Sequence, residues 1–234
     1  MTAEESRQRL RNFARREKAE ILTRFFKTGP GQYGEGDLFL GVVVPNIRKV
    51  ARECQEAPLR EITKLLSSAY HEERLLALLM LVDRFSRGDE AIRKKIYGFY
   101  LKNIRHVNNW DLVDLTAPNI VGVYLSDKSR KPLYAFAKSR DLWKRRISIM
   151  ATFPFIKQKD FSDTLKIAAM LLPDDHDLIH KAVGWMLREV GKRDLRVEEQ
   201  FLKLHYKKMP RIMLRYAIEW FPEPERKRYL HGKV

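Results

Sequence analysis

Trp110 and Asp114 stand four residues apart in the segment Asn108-Asn109-Trp110-Asp111-Leu112-Val113-Asp114. Asn108 or Asn109 can cap a helix N-terminus at this point. On such a helix the indole and the carboxylate share one face. Both groups attract positive charge, one through its π-face and one through its own charge. The plainer alternative is a core tryptophan beside a solvated or salt-bridged acid. A second constellation is Lys181, Trp185 and Arg188, on one helix face at steps of four and three. Gly184 lies among them. In a helix interior it costs about 1 kcal/mol relative to Ala, which is tolerable where another backbone or a ligand must come close. Here too the alternative is a core tryptophan with a glycine for helix packing. Arg146, in Trp143-Lys144-Arg145-Arg146, is a third candidate, although most arginines in such a run face solvent. The runs Arg48-Lys49 and Arg226-Lys227-Arg228 read as solvated or phosphate-facing.

Other chemistries find little support. Cys54 is the single cysteine, which excludes an intramolecular disulfide framework and a cysteine-based zinc site. It reads as a buried thiol. His176 and His180 are four apart after Asp174 and Asp175, without an HExxH pattern, so no metal is expected. There is no Walker loop and no GxGxxG, and no cofactor is expected. Gly29, Pro30, Gly31, Gly34 and Gly36 form one loop, either a connector or a backbone able to lie against a phosphate chain.

The elements that must carry these residues read as helices. Leu10, Phe13, Ile21, Leu22, Phe25 and Phe26 follow three- and four-residue steps. His71 to Phe85 is apolar almost all round through its middle, which suits a helix packed between others. The pattern continues through 90–101, 133–137, 142–156, 165–172, 178–190 and 197–206. Only Phe39 to Val44 reads as a possible strand, and Pro45 suits the first turn of a helix running to Arg52. Arg74, Arg146, Lys181 and Arg215 each sit in an apolar helix pattern, at steps that fit a unit of about 35 residues. That length belongs to helical-pair solenoids. The expected architecture is therefore all-α: one domain, 1–234, forming a curved solenoid whose concave face is basic. Chance in a chain this rich in Lys and Arg is the competing account of the recurrence.

Composition bounds the partners. The chain has 234 residues, with 46 Lys and Arg against 30 Asp and Glu, and a formal charge of +16. Such a balance favours polyanions, either nucleic acid or an anionic membrane surface. No run approaches the length of a membrane span. The charged N-terminus lacks the apolar core of a secretory signal, so a reducing cytosol is the expected compartment.

Taken together, the residues resemble the AlkD-type bacterial DNA alkylation repair glycosylases. The likeness covers nearly the whole chain. It rests on Phe39-Leu40-Gly41-Val42 with Pro45, on Trp110 to Asp114, and on Leu142-Trp143 with Arg146. Lys181 to Glu189 and the segment from Met209-Pro210-Arg211 to Phe221 complete it. Each motif is weak alone; their order and spacing are specific. The resemblance implies HEAT-like repeats and a monofunctional DNA glycosylase of base excision repair. It puts the catalytic aspartate at Asp114, the two cleft tryptophans at Trp110 and Trp185, and the DNA-contacting arginine at Arg146. All four types are retained, unlike in the inactive relatives that lack them. The substrates implied are cationic N-alkylpurines such as 3-methyladenine and 7-methylguanine in double-stranded DNA. Lys181, Arg188, Arg215 and Arg48 are further candidates for DNA contact. No lysine stands out as a Schiff-base nucleophile, so no strand cleavage is expected. A cytoplasmic, nucleoid-associated monomer without metal or membrane is expected. The alternatives are a non-enzymatic helical-repeat protein binding damaged or structured DNA and, more remotely, a protein-binding scaffold.

Overall fold

The computed structural model describes residues 1–234 and is all-helical. Its chain divides into two compact units, Met1–Thr116 and Ala117–Val234.

The first unit opens with α1 (Ala3–Arg11), α2 (Arg16–Phe25), α3 (Val44–Glu53) and α4 (Leu59–Leu66). It continues through α5 (His71–Arg87), α6 (Glu90–Lys102) and a 3-10 turn at Ile104–His106 to α7 (Trp110–Ala117). A capping box starts α1: Thr2 accepts from the Glu5 amide while Glu5 accepts from the Thr2 amide. The same helix is docked by Arg7, whose Nε donates to Glu73 at 2.8 Å, and by the Ala3 amide, which donates to Glu61 at 3.0 Å. α5 is the centre of the unit and packs against α3, α4 and α6. Every residue from His71 to Leu81 is buried, as the absence of a polar face predicts. That burial takes in His71, Glu72, Glu73 and Arg74, so four polar side chains at the start of α5 need partners inside the unit.

The run Phe39 to Val44 is not a strand. One isolated parallel bridge, Leu38 to Tyr70, lies just before it, and the run then enters α3 with Pro45 in the first turn. Its amides are satisfied by a side chain instead of a neighbouring strand. The Glu72 carboxylate accepts from Leu40, Gly41 and Val42 at 2.9, 2.8 and 3.2 Å. Gly41 sits at φ +78, where an L side chain is strained, with the Arg15 carbonyl and the Ala19 amide pressed against it.

The second unit opens with a π-helical turn, Pro118–Gly122, and the short α8 (Val123–Leu125). It then runs through α9 (Lys131–Ala137), α10 (Leu142–Met150), α11 (Phe153–Lys157) and α12 (Ser162–Leu171). The remaining elements are α13 (Asp177–Gly191), α14 (Leu195–His205), α15 (Arg211–Ala217), a 3-10 turn at Ile218–Trp220 and α16 (Glu223–Leu230). Here α13 is central and packs against α10, α12, α14 and α15. Gly184 is explained by that packing. A Cβ at this position would meet the Met213 carbonyl and lie 2.5 Å from Tyr216 Cβ, so it is the backbone of α15 that comes close. Side chains cap the helix starts: Asp141 for α10, His176 for α13 and Asp194 for α14.

Candidate active site

The Asn109 side chain bridges the start of α7 to the rest of the first unit. Its Oδ1 accepts from the Trp110 amide at 2.8 Å, and its Nδ2 donates to Asp37 Oδ2 at 3.2 Å. Trp110 is half-buried, with one face laid on Phe26 at 5.4 Å between centroids and 15° between planes. Phe25 meets it edge-on at 6.0 Å. Phe26 in turn stacks on Phe39 at 5.1 Å, and both phenyl rings contact the His71 imidazole, at 4.8 and 4.9 Å. The indole thus lies at the margin of an aromatic cluster, beside the exposed Phe25, and is not a fully enclosed core residue.

Asp114 lies one turn further along α7, also half-buried. Its charge reaches Tyr100, whose hydroxyl hydrogen-bonds Thr116 at 3.0 Å. Burial first, and the neighbouring Asp114 carboxylate second, push the Tyr100 phenol up, so it stays neutral. Trp110 and Asp114 therefore form a part-exposed indole and carboxylate pair on one helix.

Beneath them lies a buried ionic group that the sequence reading passed over. Asp37 Oδ1 accepts from Arg74 Nη2 at 2.6 Å, and Asp37 Oδ2 faces His71 Nδ1 at 3.2 Å. His71 Nε2 faces Asp111 Oδ2 at 2.8 Å. His71 is 2% exposed. Burial opposes its charged form, but the Asp111 carboxylate and the two hydrogen bonds overcome this and raise its pKa to about 9. Burial likewise would raise the Asp37 carboxyl, yet the His71 hydrogen bond and the Arg74 charge hold it below the usual range. Two carboxylates, an imidazolium and a guanidinium balance to zero, the condition under which such charges can be buried. A signal for this group was present in the sequence: the polar run His71-Glu72-Glu73-Arg74 opens a helix that has no polar face.

Arg74 accordingly carries no surface charge, which corrects its place in the proposed row of exposed basic residues. It is 3% exposed and also donates to the carbonyls of Ser68 and Ala69. Arg48, on α3 of the first unit, is exposed.

The other nominated residues belong to the second unit. Arg146 on α10 is 4% exposed, and its guanidinium donates to the Leu178 carbonyl. Lys181, Trp185 and Arg188 share one face of α13 and are each half-buried, with Arg188 paired to Glu219. Arg215 on α15 is exposed. A cleft of about 480 Å³ in this unit is lined by Lys138, Arg145, Asp174 and His176 among others, and none of the nominated residues contributes to it. The glycine-rich loop uses its own amides. Those of Gly29 and Gly31 donate to Gln32 and Glu35 at 3.0 and 2.8 Å, and that of Gly34 to the Lys27 carbonyl at 3.2 Å. The loop leads directly to Asp37 and so delivers it to the buried ionic group.

No helix is long and apolar enough to cross a membrane, and no group of three or more His, Cys, Asp or Glu side chains could hold a metal ion.

No curated protein matches the sequence. Among solved structures, the chain is similar to a predicted DNA alkylation repair enzyme from Enterococcus faecalis, with TM-score 0.72 and 15% identity. That match covers 90% of this chain and 97% of the other. It is also similar to a protein from Streptococcus mutans, with TM-score 0.54, 16% identity and coverage of 94% and 99%. At such identities the likeness is one of fold. The family model described as DNA alkylation repair enzyme matches residues 6–221. On that match across nearly its whole length, the chain belongs to the DNA alkylation repair enzyme family.

Proposed function

We propose that the protein is a DNA glycosylase built of HEAT-like repeats that hydrolyses the N-glycosidic bond of cationic N-alkylated purines, such as 3-methyladenine and 7-methylguanine, in duplex DNA. The observation that carries this reading is the pair on α7: a part-exposed indole and a part-exposed carboxylate one turn apart, in a chain of this family. A purine alkylated at a ring nitrogen is positively charged and already a good leaving group. What the reaction needs is stabilisation of the positive charge that develops on the sugar as the bond breaks. Asp114 supplies the opposite charge and orients a water at the sugar carbon. The indole face of Trp110 attracts a cationic sugar, and Trp185 is proposed as a further aromatic contact to the DNA substrate. One carboxylate suffices, unlike in two-carboxylate glycosidases. Arg48, Lys181, Arg188 and Arg215 are proposed to meet phosphates, with Arg146 adding its charge from a buried position. Such contacts hold the duplex without reading sequence.

The deciding experiment is incubation with methylated duplex DNA and chromatography of the released base. Free 7-methylguanine or 3-methyladenine with the strand left intact is the expected result. Duplex binding without release would favour the non-enzymatic alternative. In the same assay, duplex affinity should fall steeply with salt. The slope of log affinity against log salt is expected to be about −0.9 for each phosphate neutralised. An affinity unchanged between low and physiological salt would remove the phosphate-contact assignment.

Trp185 gives a second test. A tryptophan enclosed in the core would cost about 3–5 kcal/mol on truncation to Ala. Trp185 is only half-buried, so Trp185→Ala should lower the base-release rate while the melting temperature changes little. A large drop in Tm with an unchanged rate would assign it to packing.

A further inference from the structure

We propose that His71 is a positioning residue: clamped between Asp37 and Asp111, it fixes the start of α7 and so the presentation of Trp110 and Asp114. Three consecutive residues carry the argument. Asn109 is tied to Asp37 at 3.2 Å, Trp110 rests on Phe26, and Asp111 is bound to His71 at 2.8 Å. All three lead to the imidazole, since Asp37 and Phe26 are themselves in contact with it. Asp111 and Asp114 are one turn apart, so the pair that holds Asp111 also sets the rotation of Asp114 about the helix axis. The phenyl faces of Phe26 and Phe39 lie against the ring and favour its cationic form, while the quartet is electrically balanced only when the ring is protonated.

The charged groups facing the ring come from three segments. Asp37 belongs to the stretch before α3, Arg74 to α5 and Asp111 to α7. His106, on the 3-10 turn, is lowered by burial and by the charges of Arg105 and Arg74. Because the folded pKa of His71 is raised, its ionic contribution is complete below its unfolded value near 6.5. It is lost as pH rises through about 9. Deprotonation leaves two carboxylates and one guanidinium buried together, and the hold on Asp111 loosens.

This inference rests on the glycosylase reading for its kinetic arm only. The spectroscopic arm follows the Trp110 indole N–H resonance in protein labelled with ¹⁵N-tryptophan, identified by its absence in Trp110→Phe. In the wild type the resonance should shift between pH 7 and 9.5 with a midpoint near 9. In Asp111→Asn, which keeps the volume and removes the charge, it should be displaced already at pH 7. In the kinetic arm, Asp111→Asn should slow single-turnover release of 7-methylguanine by about 10- to 100-fold with the duplex Kd unchanged, the signature of misplacement. His71→Gln should remove the pH dependence of the resonance; if that variant fails to fold, the wild-type titration and Asp111→Asn carry the test. An indole resonance unmoved by pH and by Asp111→Asn overturns the inference. So does a displaced resonance with a wild-type release rate. If the wild type releases no base at all, the glycosylase reading falls, and the resonance alone decides whether His71 positions Trp110.

Discussion

Asp114→Asn should release 7-methylguanine from duplex DNA about 10²–10³ times more slowly than the wild type, the usual loss for a preorganised electrostatic contact. The substitution preserves size and most hydrogen bonding and removes only the charge. The structure makes this a clean change. Asp114 is half-buried, on the helix that also holds Trp110, and the acids that support that helix, Asp37 and Asp111, are separate and remain in place. Stability should therefore change little. Tyr100, whose phenol Asp114 helps keep neutral, should become slightly easier to ionise. Duplex binding should be unchanged or slightly tighter, because an acid has been removed from a surface proposed to meet phosphates. The loss should be greatest for lesions that depart slowly, since a labile cationic base leaves partly unaided. Single-turnover base release, measured with the duplex Kd, checks this; a wild-type rate would make Asp114 a structural acid.

Gly41→Ala is expected to produce the largest loss of stability. The residue sits at φ +78, and an added Cβ would overlap the Arg15 carbonyl and lie 2.7 Å from the Ala19 amide. A left-handed conformation costs a residue with a Cβ about 1–2 kcal/mol, and forcing atoms into a filled site about 1–3 kcal/mol more. The neighbours are backbone and cannot rotate away. The Leu40, Gly41 and Val42 amides would also be drawn off Glu72. At about 2–4 °C per kcal/mol for a chain of this size, the melting temperature should fall by at least about 4 °C. Gly31→Ala is the control: φ is +73 there, but nothing lies within 4 Å of the new Cβ, so only the conformational cost applies. Calorimetry of the two variants should rank them in that order, and equal Tm values would show that the Arg15 backbone yields.

Most of the helical architecture was legible in the sequence because it depends on local periodicity. The all-round apolar run after His71 became a helix buried on every side, and Pro45 took its place in the first turn of α3. Phe39 to Val44 misled because β-branched residues report a fit to a sheet, and no neighbouring strand is there to pair with it. Trp110 and Asp114 could be singled out because they lie within one turn. The group beneath them was legible only at its α5 end, in the polar run that opens an apolar helix; Asp37 and Asp111 come from two other segments, and nothing in the spacing announces that they meet His71. The basic recurrence misled at Arg74 for a related reason: residue type does not tell a surface guanidinium from one enclosed with a carboxylate.

The bonds around Asp37 and His71 have a consequence for how the protein becomes competent. Asn109 reaches back 72 residues to Asp37, and Asp111 reaches back 40 to His71. Contacts of such separation close late, because the entropy of a long loop must be overcome before they give any return. The indole and carboxylate on α7 are therefore among the last features of the first unit to be set in place, although they are neighbours in the chain. During synthesis Asp37 and His71 are made before Asn109 and Asp111, so the pair on α7 can be held only once the chain has extended through that helix. The chemistry proposed for α7 thus depends on completed folding of the unit that contains it, and a partly folded chain should release no base from DNA.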